Sequence, residues 1–201
     1  MEKAKLNKLL LNACYEYPPD FEKMQKIVDM GADVNAFSER MYEPILSEII
    51  DNYLSEITGE GNVKCDGICG VELCDRMCKG ETVNGRDGRY LLPIVSFFFD
   101  NGFDLNREYT YNNEKVLYAH DILYSLIFAI CGETSLDILK LILSKITSSS
   151  QMCYSDNEPI IVEYYFAEDF NYSEGYEDYS HYLSKASKMI EDFAKQKGWK
   201  L

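Results

Sequence analysis

The sequence predicts an all-α fold, a short solenoid array of helical repeats with one long insertion and a C-terminal capping helix. Three observations predict it. An amphipathic pattern recurs at residues 20–31, 91–102 and 135–146. The first two copies end in the same glycine-led signature. Between them lies a stretch rich in glycine and cysteine that reads as an interruption of the array.

Taken in chain order, residues 1–14 break their apolar positions with Lys3, Lys5, Asn7, Lys8 and Asn12, the pattern of an amphipathic helix. The three copies then align at four positions, Phe21/Leu92/Leu136, Met24/Val95/Leu139, Ile27/Phe98/Ile142 and Val28/Phe99/Leu143. All twelve residues are apolar, and the spacing i, i+3, i+6, i+7 places them on one helical face, so each copy is a helix that buries a stripe. Pro93 falls in the first turn of the second copy, where a missing N–H costs little. Gly31-Ala32-Asp33-Val34-Asn35 follows the first copy and Gly102-Phe103-Asp104-Leu105-Asn106 the second. Glycine takes the left-handed conformation that ends a helix, and the chain then leaves as an extended finger.

These residues resemble the ankyrin repeat family. Its repeats have an inner helix opened by Thr-Pro-Leu-His, an outer helix, and Gly-Ala-Asp-Val-Asn leading into a β-hairpin finger. Residues 31–35 carry that last motif in full, and 102–106 carry it with Phe103 and Leu105 substituted. Glu43-Pro44-Ile45-Leu46 stands at the opening of an inner helix, about 44–57, keeping the proline and lacking the histidine, and Ser125-Leu126-Ile127-Phe128 is a poorer version of the same opening. The resemblance covers about residues 4–147 and implies a protein-binding module without catalytic activity.

The repeat period is not kept, because the first two copies are 71 residues apart and the second and third 44. Seven of the twelve glycines lie between Gly59 and Gly88, so the extra chain reads as an insertion at about 58–89, with a short helix at 71–78. Residues 1–147 are then the array, and 148–201 an acidic, Tyr-rich cap ending in a helix at about 178–197. Between Ile146 and Ser184 there are eight acids, seven tyrosines and no Lys or Arg.

A net charge of −14 argues against nucleic acid as a partner, since phosphate affinity comes from Lys and Arg, and against an acidic membrane surface. The longest apolar runs, Tyr90–Phe99 and Ile122–Cys131, fall well short of the roughly 18–20 residues of a membrane span. Without an apolar leader at the N-terminus, seven cysteines read as reduced thiols in a cytoplasmic protein. His120 and His181 are the two histidines, and no phosphate loop, nucleophile elbow or His-Glu-x-x-His occurs, so no catalytic residue is assigned.

The expected function is binding another protein with a basic surface. The contact residues would be the finger tips, with Phe37, Arg40 and Tyr42 on the first and Tyr109 and Tyr111 on the second, and Glu174, Tyr176, Glu177, Asp178 and Tyr179 in the cap. Tyrosine supplies rigid contact area and carboxylates speed encounter with a cationic patch. Acidic, degenerate proteins of ankyrin type resemble immunity-type inhibitors of basic toxins. The alternative is a zinc- or thiol-dependent regulator using Cys65, Cys69, Cys74 and Cys78. Their spacing lacks the two-residue knuckle of most structural zinc sites, so no cofactor is the preferred expectation.

Overall fold

The computed structural model describes residues 2–38, 43–58, 88–111, 113–127, 133–152 and 177–199. Within them the elements are α1 (Lys3–Cys14), α2 (Phe21–Asp29), β1 (Phe37–Ser38), β2 (Glu43–Pro44), α3 (Ile45–Thr58), α4 (Leu91–Asp100), β3 (Glu108–Tyr111), β4 (Glu114–Leu117), α5 (Tyr118–Ile127), α6 (Glu133–Lys145) and α7 (Glu177–Lys197). Single 3-10 turns at Gly88–Tyr90 and Ser149–Met152 lead into α4 and follow α6.

Successive helices pair as α1 with α2, α3 with α4 and α5 with α6. The first members of the pairs pack in a row, α1 on α3 and α3 on α5, while α4 lies on α6, and α7 packs on α6. Each helix buries the face that its apolar spacing defines. Leu6 and Leu10 of α1, Met24 of α2, Leu46, Ile49 and Ile50 of α3, Ile94 and Phe98 of α4, Ile122 and Leu126 of α5, Leu139 and Ile142 of α6 and Ala186 and Ile190 of α7 form one continuous core.

The aligned stripe is buried as its spacing requires, with a gradation. Met24, Ile27, Val95, Phe98, Leu136, Leu139, Ile142 and Leu143 are buried, whereas Phe21, Val28, Leu92 and Phe99 are half-buried at its margin. The two glycine-led turns have the same hydrogen bonding. Gly31 and Gly102 have φ of 106° and 88°. The amide after each donates back to the helix, Ala32 to Ile27 O at 3.2 Å and Phe103 to Phe98 O at 2.9 Å. Asp33 and Asp104 then each accept the amide two residues on, from Asn35 and from Asn106, both at 2.9 Å.

The all-α class is corrected. Two antiparallel two-stranded sheets stand beside the seven helices, β1 with β2 and β3 with β4, so the described fold mixes helix and strand, and no solenoid is detected in it. The pairs are Phe37 with Pro44 and Ser38 with Glu43 in the first hairpin, and Glu108 with Leu117 through Tyr111 with Glu114 in the second. The physical reason is backbone satisfaction. A finger that leaves a helix pair and returns carries amides and carbonyls that no helix can use, and pairing across the hairpin satisfies them. Strands of two and four residues are too short to leave a readable alternation in the sequence.

Ser125-Leu126-Ile127-Phe128 does not open a helix. Ser125 and Leu126 lie in the last turns of α5, which starts seven residues earlier at Tyr118, where β4 delivers the chain. The insertion, apart from its edges, and residues 153–176 of the acidic cap lie outside the described residues. Among the described residues no helix is long and apolar enough to cross a membrane.

Candidate functional site

The proposed contact residues divide into three groups. Phe37, Tyr109 and Tyr111 are described. Arg40, Tyr42, Glu174 and Tyr176 lie outside the described residues, as do Cys65, Cys69, Cys74 and Cys78. Glu177, Asp178 and Tyr179 form the first turn of α7, where only the backbone is described.

The hairpins bring Phe37 and Tyr109 together. Their rings tilt against each other with centroids 4.8 Å apart, and Tyr109 meets Tyr118 edge-on at 6.1 Å. Both are half-buried, so they form the wall of this face and join it to the core. Tyr111, two residues further along β3, is 51% exposed and presents its ring to solvent.

Beneath the aromatic wall lies a group of carboxyls that no single stretch of sequence displays. Glu43 comes from β2, Glu48 and Asp51 from α3, and Asp121 from the first turn of α5. The Tyr109 hydroxyl donates to Asp121 Oδ1 at 3.0 Å, and Ser125 hydrogen-bonds Asp51. The Ser47 and Ser125 hydroxyls sit 3.4 Å apart across the α3–α5 contact. Buried atoms Glu43 Oε1 and Asp121 Oδ2 have no hydrogen-bond partner among the described residues.

Burial removes water from these groups, and each negative charge raises the cost of the next. Glu43 is pushed up to about 8, first by burial and then by Asp51, Asp121 and Glu48. Asp121 rises to about 7 through burial and the charge of Asp51, although the Tyr109 hydrogen bond acts the other way. Asp51 is raised by burial, with the Ser125 bond opposing. Tyr109 is raised too, by burial and by Asp121, so it stays a hydrogen-bond donor throughout the accessible pH range.

The described cations of the neighbouring hairpin are engaged elsewhere. Arg107 Nη1 lies 3.6 Å from Asp33 and its guanidinium sits over the Tyr118 ring, while Lys115 pairs with Glu108 at 2.9 Å. His120 is buried, its Nε2 is 2.9 Å from Ser150 O, and desolvation lowers its pKa. A neutral ring whose Nε2–H donates to that carbonyl ties α5 to the turn after α6. Among the described residues no group of three Cys, His, Asp or Glu is placed to hold a metal ion.

Sequence reasoning missed Glu43, Asp51 and Asp121 as one group. A signal was present in the spacing: Ser47 and Asp51, and Asp121 and Ser125, are i, i+4 pairs, so each helix carries a polar stripe beside its apolar one. That the two stripes face each other follows from the packing of α3 on α5 and from nothing local. No family model, curated protein or solved structure matches the chain.

Proposed function

We propose that this chain is a protein-interaction module that acts by binding and not by catalysis. Its contact face is built from the two hairpins and the adjoining ends of α3 and α5, and its partner presents a basic surface. The observation that carries this reading is the meeting of an aromatic wall, Phe37, Tyr109 and exposed Tyr111, with the carboxyls of Glu43, Asp51 and Asp121. Clustered half-buried acids oppose folding, and a fold carries such a local conflict where another requirement outweighs it. A Lys or Arg from a partner would relieve it.

The net charge of −14 supports the same partner chemistry, and so does the acidic stretch between Ile146 and Ser184. The glycine-led turns and hairpins support a distant relationship to ankyrin repeat proteins, which is part of the proposal. Within this class, an inhibitor of a basic toxin is the most concrete reading. Carboxylates placed where a nucleic acid puts its phosphates would block a cationic cleft.

The test is kinetic. With a partner isolated by co-purification, association should slow markedly between about 50 and 500 mM salt, as the Debye length shrinks from roughly 14 to 4 Å. Reversal of Glu174, Glu177 and Asp178 to Lys should lower the association rate, and Tyr111→Ala should raise the dissociation rate. Association indifferent to salt, with both variants binding like the parent, would overturn the proposal.

A further inference from the structure

We propose that Glu43, Asp51 and Asp121 form a proton-operated latch that clamps the first hairpin to α5 while the cluster holds its protons and loosens it when they are lost to water. The geometry rests on three elements meeting at one point. β2 carries Glu43 and runs directly into α3; it packs against α5, whose first turn holds Asp121; and α3 brings Asp51 and Glu48 to the same contact.

Two buried carboxyl oxygens at this junction, Glu43 Oε1 and Asp121 Oδ2, receive no hydrogen bond from the described residues. A buried oxygen of that kind is tolerated on a neutral carboxyl and costly on a carboxylate. The start of α5 favours an anion at Asp121 through the helix dipole, although the Tyr118 and Ala119 amides are already taken by Arg107 O and Leu105 O. Burial and the neighbouring acids outweigh that preference, since the pKa of Asp121 rises to about 7. The shift of Glu43 to about 8 has the same sign.

Among the described residues, the groups facing the cluster come from four elements. β2 contributes Glu43; α3 contributes Glu48 and Asp51; α5 contributes Asp121; and β3 contributes the Tyr109 hydroxyl, with Tyr111 further out. β1 offers Phe37 and Ser38 and no titratable group. On the second hairpin, Glu108 is paired with Lys115, and Arg107 is turned to Asp33.

The direction of the effect follows from linkage. Folded-state pKa values above the unfolded ones mean that the native junction binds protons more tightly. Its stabilisation is complete below about pH 4 and decays as the pH climbs through about 7 and 8. The clamp therefore weakens around neutrality.

The experiment combines a side-chain carboxyl NMR titration with amide exchange. Glu43 and Asp121 should titrate near or above neutrality, against about 4 for free side chains. The Ile45 amide, which closes the first hairpin by donating to Ala36 O at 3.0 Å, should lose at least about tenfold protection from pH 6 to 8.5 after correction for intrinsic exchange, while α7 amides hold theirs. Glu43→Gln and Asp121→Asn mimic the protonated state and should raise Ile45 protection above wild type at pH 8.5 and flatten its pH dependence. Midpoints near 4, pH-independent protection at Ile45, or neutral variants that lower its protection at pH 8.5 would each overturn the latch.

Discussion

At the residue scale, asparagine links one turn to the next. Asn7 of α1 accepts the Asp33 amide at 2.8 Å. Asn35 accepts the Asp104 amide at 2.7 Å and donates to Gly102 O at 3.0 Å. One side chain thus reads both a donor and an acceptor of the neighbouring turn, which shorter Ser or charged Asp cannot do in the same way. At about 0.5–1.5 kcal/mol per bond, Asn35→Ala should cost about 1–3 kcal/mol and Asn7→Ala about half of that, measured by urea unfolding. Gly102 tests the backbone separately. Nothing lies within 4 Å of a Cβ added there, so Gly102→Ala should cost about 1–2 kcal/mol from its φ of 88° alone.

At the scale of the element, α4 separates burial from mere apolarity. Its sequence Phe97-Phe98-Phe99 offers three similar rings, and the helix turns only the middle one fully inward, at 0% exposure. Phe99 lies at the margin, edge-on to Phe103 at 5.8 Å with the Lys145 ammonium 5.8 Å above its ring. Phe98→Ala should cost about 3–5 kcal/mol as a core truncation, and Phe99→Ala clearly less, because water can enter the space it leaves. Denaturant melts of the two variants check the order, and equal losses would show that the stripe is misplaced. α7 uses the same logic with smaller residues: Ala186 and Ile190 are fully buried against the core, and the chain turns back after Gly198 so that Trp199 meets Phe193 edge-on at 5.7 Å.

For the whole molecule, charge sets how stability responds to solution conditions. Two opposite linkages operate. The Asp33 carboxylate is disfavoured by burial, yet Lys3 at 3.0 Å, the Asn35 amide and Arg107 together hold its pKa below the usual range. Its contribution is present above about pH 4 and lost as the pH falls through the lowered value. The Glu43, Asp51 and Asp121 group contributes in the reverse sense, so maximum stability is expected on the mildly acidic side of neutrality. A net charge of −14 adds self-repulsion that salt screens. Raising NaCl from about 0.05 to 0.5 M at pH 8 should therefore increase Tm by about 2–4 °C, the shift that about 1 kcal/mol produces in a chain of this size. The gain should shrink at pH 5, where fewer carboxyls are charged, and an equal gain at both pH values would point to a salt effect unrelated to this charge.

By itself, the sequence determined the helices and the turns that end them. Met24, Ile27, Val95, Phe98, Leu139 and Ile142 announce their faces through spacing, and Gly31 and Gly102 announce the stops, because periodicity and glycine's left-handed freedom are local properties. Only the tertiary structure decided the rest. The fingers are expected from the sequence, but the pairing and register of their strands follow from satisfying their own backbone, the start of α5 is fixed by where β4 ends, and Glu43, Asp51 and Asp121 become one group because α3 packs on α5. Acids that are remote in the chain interact through distance and burial, and neither quantity is written in the order of the residues.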